Sequence, residues 1–359
     1  MHTIFQGYTM VHNDIPTFFA GANTGHGFVG AYGDFAKEEK LRQLWILKGG
    51  SGTGKSTLMR KIAADAVGHS RVQYLCSSDP TSLDAVVVDE AYVVLDGTAP
   101  HVWEMAYPGA VSEIVYLGKY WDAAVLRERR EEIVRISREK KAAYEKGYRV
   151  LAALSVLEME TYEAAMAVLD REKIQKWGQR LLRAFPKAER SGGVWDYRTW
   201  SIGMRGLWRT DGLWHGCDRH WVIEDAYETA PCLLTILTEL CQAAQVPVLL
   251  SRHPINDRIV EMAIPALSLH LSIGDAGEGA DKTICMQRFL QKDLLQSQKG
   301  AIRLTCRCMV EMLSLAVEHF AVAGERHMAL EEIYKSAMDF VRLRRDTALL
   351  RKQIIAELS

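Results

Sequence analysis

The chain has 359 residues, 48% hydrophobic and 25% charged, with a formal net charge of −1. That length exceeds what one hydrophobic core normally supports and suits two domains. The near-neutral balance carries no footprint for nucleic acid or an anionic membrane, no apolar run reaches the ~18 residues of a membrane span, and the N-terminus MHTIFQGYTMVHND lacks the basic and apolar parts of a signal peptide, so a cytoplasmic protein with no membrane partner is expected.

Seven cysteines are scattered along the chain with no C-x-x-C pair, as expected for reduced thiols. His215, Cys217, His220, Cys306 and Cys308 match no zinc module, and Cys306 and Cys308 sit in an apolar helical run. Near the N-terminus, Gly21, Gly25, Gly27 and Gly30 form a glycine-rich segment with no following lysine. It reads as a bent strand or loop near the site rather than a second cofactor site.

The stretch WILKGGSGTGKSTLMRKI carries Gly49, Gly50, Ser51, Gly52, Thr53, Gly54, Lys55 and Ser56, a full G-x-x-x-x-G-K-[ST] pattern. Before it, Leu44–Leu47 is a short apolar run suited to a buried strand; after it, Thr57–Ala63 opens an amphipathic helix. Glycines let the backbone wrap a phosphate so that N–H groups point inward at the positive end of the helix. Lys55 is placed to reach the β- and γ-phosphates, Ser56 to hold Mg²⁺, and Thr57 to follow them on the first turn. A flexible glycine turn explains neither Lys55 nor Ser56.

Two further strands are expected at 72–76 and 91–95, each ending in polar residues where a parallel sheet meets its ligand. Asp96 has the form of the carboxylate that holds the Mg²⁺ shell and serves catalysis beside Lys55; Asp79 is the second choice. For both, the plainer alternative is a turn cap. His101 either touches nucleotide or substrate or caps a loop. No glutamate follows Asp96, so the usual water-activating carboxylate is not visible, and the absence of N-K-x-D favours ATP over GTP by elimination.

Residues 123–190 read as charged helices. Arg127, Arg129, Arg130, Arg135 and Arg138 suggest a phosphate-clamping lid, but Glu128, Glu131, Glu132 and Glu139 interleave with them and favour a salt-bridged solvent face. Ser191-Gly192-Gly193, after Pro186, reads as a linker. Beyond it the sequence repeats itself weakly. Trp45-Ile46-Leu47 returns as Trp221-Val222-Ile223, residues 72–80 match 246–254, residues 86–96 match 262–272, and ETYEAAM at 160–166 returns as EIYKSAM at 332–338. Residues 17–30 find a counterpart in 199–216. In this alignment Gly54, Lys55 and Ser56 fall opposite Ala230, Pro231 and Cys232, so the second cradle has lost its phosphate chemistry and one working site per chain is expected. Arg252 then falls opposite Ser78, where a residue facing the first copy's γ-phosphate would act as an arginine finger.

The runs FFAGANTGHGF, LKGGSGTGKSTLM, CSSDPTSLDAVVV, LDGTAPHVWEMAYPGAVSEIVYLGKYWD and ALEEIYKSAMDF resemble a poorly characterised family of bacterial tandem P-loop ATP-binding proteins. The resemblance implies an α/β fold, a duplicated three-layer α/β/α P-loop NTPase unit with a mainly parallel sheet and helical arms, and ATP with Mg²⁺ as ligands. It departs from that family where the second copy commonly keeps its loop. The resulting division is an active P-loop unit over 1–190 and a degenerate copy over 191–359, associated as an internal pseudo-dimer. The leading expectation is an ATPase with one Mg²⁺-dependent site. A small-molecule or nucleotide kinase and an ATP sensor that holds an unidentified protein partner are the alternatives.

Overall fold

The computed structural model describes residues 8–99, 102–183, 192–274 and 279–358. His101, Pro186 and the first residue of the expected linker, Ser191, lie outside these residues.

Two six-stranded sheets organise the chain. The first contains β1 (Thr17–Phe19), β2 (Gln43–Lys48), β3 (Arg71–Leu75), β4 (Leu83–Val88), β5 (Tyr92–Asp96) and β6 (Ser112–Tyr116), in the order β1-β3-β4-β5-β2-β6. The second contains β7 (Val194–Tyr197), β8 (Arg219–Glu224), β9 (Val248–Arg252), β10 (Ile259–Ile264), β11 (Leu269–Ile273) and β12 (Lys282–Cys285), in the order β7-β9-β10-β11-β8-β12. The two orders are the same, and so is the sense of every pairing. Even the irregularity matches: β3 slips register against β4 between Tyr74 and Leu75, and β9 slips against β10 between Ser251 and Arg252.

Each sheet is mainly parallel, with one reversed strand: β4 in the first and β10 in the second run against both neighbours, while the other pairings are parallel. The run 83–88 is a strand of its own, fully buried, and returns into β5 through a tight turn in which Asp89 and Glu90 both take positive φ (50° and 56°). That is the left-handed turn whose twist suits an antiparallel hairpin. Asp89-Glu90, between the two apolar runs, marks the reversal in the sequence.

The layering also differs from a sheet with helices on both faces. On one face of the first sheet, Trp45, Leu47, Val86, Val88 and Val94 pack against helix α1 (Lys55–Asp65) and the C-terminal residues Ile354 and Leu358. On the other face, Leu44, Ile46, Ala85, Val87 and Val93 share one buried cluster with Tyr197, Leu249 and Ala263 of the second sheet. The halves also interlock at the edge, where Thr9–Val11 pairs in parallel with Gly206–Thr210.

Two long helices, α2 (Arg130–Ala167) and α3 (Arg171–Leu182), carry the first arm; α4 (Ala230–Ala243) follows the second cradle; α5 (Lys292–Ser336) and α6 (Phe340–Glu357) form the second arm. α2 and α5 lie along each other, with Phe320 against Tyr144 and Tyr148 (ring centroids 5.7 Å apart in both pairs). Gly147 is required at this crossing, since a Cβ there would meet the Phe320 ring at 2.5 Å.

Past that crossing the arms exchange halves. α3 packs on α4, with Gly178 against Leu240, and α6 packs on α1, where Arg351 Nε donates to Asp65 at 2.8 Å. The exchange is sealed by matching backbone pairs. Asp122 N–H donates to Ala337 O at 2.8 Å and Asp339 N–H to Tyr120 O at 2.9 Å; in the other half, Gln291 N–H donates to Val168 O at 2.8 Å and Asp170 N–H to Phe289 O at 2.7 Å. Asp170 and Asp339 then cap α3 and α6, each accepting a backbone N–H three residues on. Residues 168–170 of the first arm and 337–339 of the second, just after the long helices, are therefore the pieces of each arm that pair with the opposite half.

Candidate functional site

β2 ends at Lys48, and residues 49–54 carry the chain to α1. Gly52 and Gly54 have φ of 73° and 81°, a region open to glycine and costly for a side chain with Cβ. Gly54 caps a helix of eleven residues whose first residue is Lys55. Thr53, buried, ties the loop to itself by donating to Gly50 O at 2.9 Å.

Lys55 folds back over the loop, its Nζ donating to Gly49 O at 2.8 Å and Gly50 O at 2.9 Å, 3.5 Å from an Asp96 oxygen. Asp96 ends β5 directly beside β2, paired with Leu47. Its other oxygen accepts from Thr98 N–H at 2.8 Å, and the Thr98 hydroxyl donates to Gly49 O at 2.8 Å. Asp96 is thus both a site residue and a turn cap. The Ser56 hydroxyl accepts from Leu83 N–H at 2.9 Å, while Thr57 is exposed on the first turn. Asp79 stands apart: one of its oxygens accepts from Thr81 N–H at 3.0 Å and from the Thr81 hydroxyl at 2.7 Å, the turn-capping role. Among the described residues, Lys55, Ser56 and Asp96 are brought together with the loop and Asp79 is engaged locally.

Asp84 is a site residue that the sequence reading passed over. It is the second residue of β4, one position beyond the Leu83 that bonds Ser56, and it is 3% exposed. Burial pushes its carboxyl well above the ordinary range, and the neighbouring Asp96 charge adds to this; hydrogen bonding to Tyr32 and Cys76 and the charge of Lys55 act the other way. A lone acid inside LDAVVV was the available signal, since a charge is rarely buried without a partner or a purpose.

The loop is also touched by the second arm. A Cβ on Gly52 would lie 2.9 Å from Lys335 Cγ and 3.0 Å from Glu331 Cγ, and one on Gly50 3.1 Å from the Trp121 ring and 3.7 Å from Tyr334. Lys335 pairs with Glu331 at 3.1 Å and with Glu332 at 3.4 Å. The contacts of Glu331, Tyr334 and Lys335 come from some 280 positions away in the chain, that of Trp121 from about 70, and none was visible in local pattern.

The second cradle is one residue shorter, 225–229, and is filled by its own side chain. One Asp225 oxygen accepts from Tyr227 N–H at 3.0 Å and the Thr229 hydroxyl at 2.9 Å; the other accepts from Ala230 N–H at 2.6 Å, at the start of α4. Burial raises the pKa of this carboxyl, and the same hydrogen bonds oppose the rise. Tyr162 of the first arm lies over this cradle: its hydroxyl bonds the buried Cys232, and its ring stacks on Arg258, which is itself held by Glu158 at 2.6 and 3.0 Å. Tyr162 here and Tyr334 on the first cradle are the same residue of the repeated motif.

Several expectations change at this point. Arg252 is held in its own half, donating to Asp196 at 2.7 Å and to Asp257 O at 3.0 Å, and the matching strand irregularities place it opposite Leu75 rather than Ser78. Arg129 pairs with Glu132 and Arg135 with Glu139 at 2.7 Å, so the charged face of α2 is a solvent face. Gly21–Thr24 and Gly27–Gly30 form a hairpin, with Gly25 against Ala152 of α2. No group of three or more His, Cys, Asp or Glu side chains suited to a metal occurs among the described residues, and no helix among them is long and apolar enough to cross a membrane.

Comparison with protein-family models, with curated proteins and with solved structures returned no match.

Proposed function

We propose that the chain is an ATP-binding P-loop NTPase made of two copies of one α/β unit, with a single Mg²⁺-dependent hydrolysis site in the N-terminal cradle. The observation that carries this reading is the convergence of Lys55, the Ser56 hydroxyl and the Asp96 carboxylate on a loop whose Gly52 and Gly54 take left-handed φ at the start of a helix. Such a loop presents backbone N–H groups and a helix dipole to an anion. Lys55, resting on the loop carbonyls, supplies the cation that turns to the β- and γ-phosphates. Ser56 and Asp96 are the oxygen donors for Mg²⁺.

Two copies of one unit account for the common strand order, the common irregularity in β3 and β9 and the reciprocal seating of the arms. With no glutamate after Asp96, Asp84 is the residue we assign to orienting the attacking water, since it is a buried acid one position beyond the Leu83 whose N–H bonds Ser56, and it feels the charges of Asp96 and Lys55. The pairing of Arg129 and Arg135 with glutamates removes the main support for a kinase-type lid.

Lys55→Ala is expected to weaken Mg-ATP binding at least about 100-fold in a calorimetric titration, roughly 2.7 kcal/mol. Asp84→Asn is expected to retain binding and lose most phosphate release. Undiminished binding by the Lys55 variant would remove the assignment.

A further inference from the structure

Beside the cradle the structure has a cleft of about 390 Å³ between two segments of different origin, Lys119–Asp122 with Val125 from the first half and Ser336–Asp339 with Arg342 from the second arm. The arms' exchange creates it: the 120–122 backbone pairs with 337–339 along its floor. The cleft adjoins the phosphate loop on two sides. Trp121, one of its walls, lies against Gly50, and Leu343, next to Arg342, approaches Gly54, where a Cβ would be 3.5 Å from Leu343 Cδ2.

The chemistry of the walls is that of a nucleoside site. Trp121, half-buried, supplies the aromatic surface and is fixed by Tyr334 at 5.2 Å between ring centroids, while Tyr120 is buried. Lys119 and Arg342, both exposed, lie over the Tyr120 ring at 5.2 and 5.6 Å, with Asp346 4.0 Å from Arg342, and supply the cleft with hydrogen-bond donors for ring nitrogens and ribose oxygens. The two acids of the cleft, Asp122 and Asp339, are engaged as helix caps and leave its chemistry to the cations and rings. A triphosphate held by the loop has its nucleoside end within reach of a pocket this size, which suits a small ligand.

We propose that the base and ribose of the nucleotide bind in this cleft, so that the ligand of the N-terminal cradle is at the same time a ligand of the C-terminal arm. The proposal rests on the nucleotide reading of the cradle. It assigns the degenerate half a function: it completes the site in trans, and nucleotide binding fastens the exchanged arm to the loop.

The test compares Mg-ATP with inorganic tripolyphosphate, which carries the phosphate chain without the nucleoside, by calorimetric titration of the full chain. Wild type is expected to bind ATP at least about 10-fold more tightly than tripolyphosphate, and Trp121→Ala and Arg342→Ala each to weaken ATP about 5- to 10-fold, in line with the loss of one base–aromatic contact, with tripolyphosphate unchanged. Arg342 is exposed at the start of α6, so its variant keeps the fold even if Trp121→Ala does not. Equal affinity of wild type for the two ligands, or equal weakening of both ligands by Arg342→Ala, overturns the cleft while leaving the cradle standing. Binding of neither ligand to wild type overturns the cradle and the cleft together.

Discussion

The two cradles of this chain solve the same electrostatic problem in opposite ways. Both join a strand to a helix, and both place a loop at the positive end of that helix, where backbone N–H groups lack intrahelical partners. In the first, glycines open the loop and Lys55 waits on its carbonyls. In the second, Asp225 turns its carboxylate into the loop and bonds Tyr227, Thr229 and Ala230. A loop of this kind favours an anion; in the second half the chain supplies an acid of its own, and in the first we propose that a nucleotide phosphate takes that place. The missing lysine and glycines are therefore only part of the difference between the two loops, since the second also has an acid that bonds its backbone.

The difference can be broken most directly at Asp225. Asp225→Gly leaves the N–H groups of Tyr227 and Ala230 without their acceptor in a buried place, and is expected to cost about 2–4 kcal/mol of stability in urea unfolding. Sulfate should restore part of that loss in the variant and add nothing of the kind to wild type, while ATP stoichiometry stays at one. If the variant is as stable as wild type, the second loop does not depend on an internal anion.

Acid provides the next contrast, because the second half buries a neutral histidine. Burial drives the pKa of His253 down to about 3 from an ordinary 6.5. The unfolded chain therefore binds the proton that the folded chain refuses, so His253 contributes stability above pH 6.5 that is lost as pH falls from 6.5 toward 3, by up to about 1.4 kcal/mol per pH unit. Unfolding midpoints at pH 7 and pH 5 should differ more for wild type than for His253→Asn. An unchanged pH slope in the variant would assign the acid sensitivity to other groups.

The smallest expected effect is at Arg252. Its guanidinium is held by Asp196 and the Asp257 carbonyl within the second half, so Arg252→Ala should leave ATP turnover unchanged and alter stability by less than about 1 kcal/mol, as for an exposed ion pair. A large loss of turnover would mean that the second half reaches the phosphates through β9 rather than through its arm.

What was legible in the sequence was local. Six residues of loop, a lysine and a serine fix a backbone path through left-handed φ and a helix start, and those requirements are written in adjacent positions. The apolar runs announced strands, but not their direction: Leu83–Val88 is buried on both faces whichever way it runs, so nothing in its pattern distinguished a parallel neighbour from the antiparallel one observed. The E-x-Y-x-x-A-M repeat was visible as a pattern and silent about its purpose. Asp84 was readable only as an oddity, because its partners Tyr32, Cys76, Lys55 and Asp96 come from four separate segments.

The sequence alone determined that one half carries the full G-x-x-x-x-G-K-[ST] pattern and that the matching stretch of the other lacks it, because such a pattern is written in residue types at fixed short spacing. Only the tertiary structure decided that the arms cross over, that Asp225 fills the second loop and that Glu331, Tyr334 and Lys335 lie on the first. The physical reason is that long-range packing is chosen by the shapes of two whole surfaces. A helix that can seat on either of two related cradles carries nearly the same apolar pattern for both, and the choice is made by where its preceding helix leaves it.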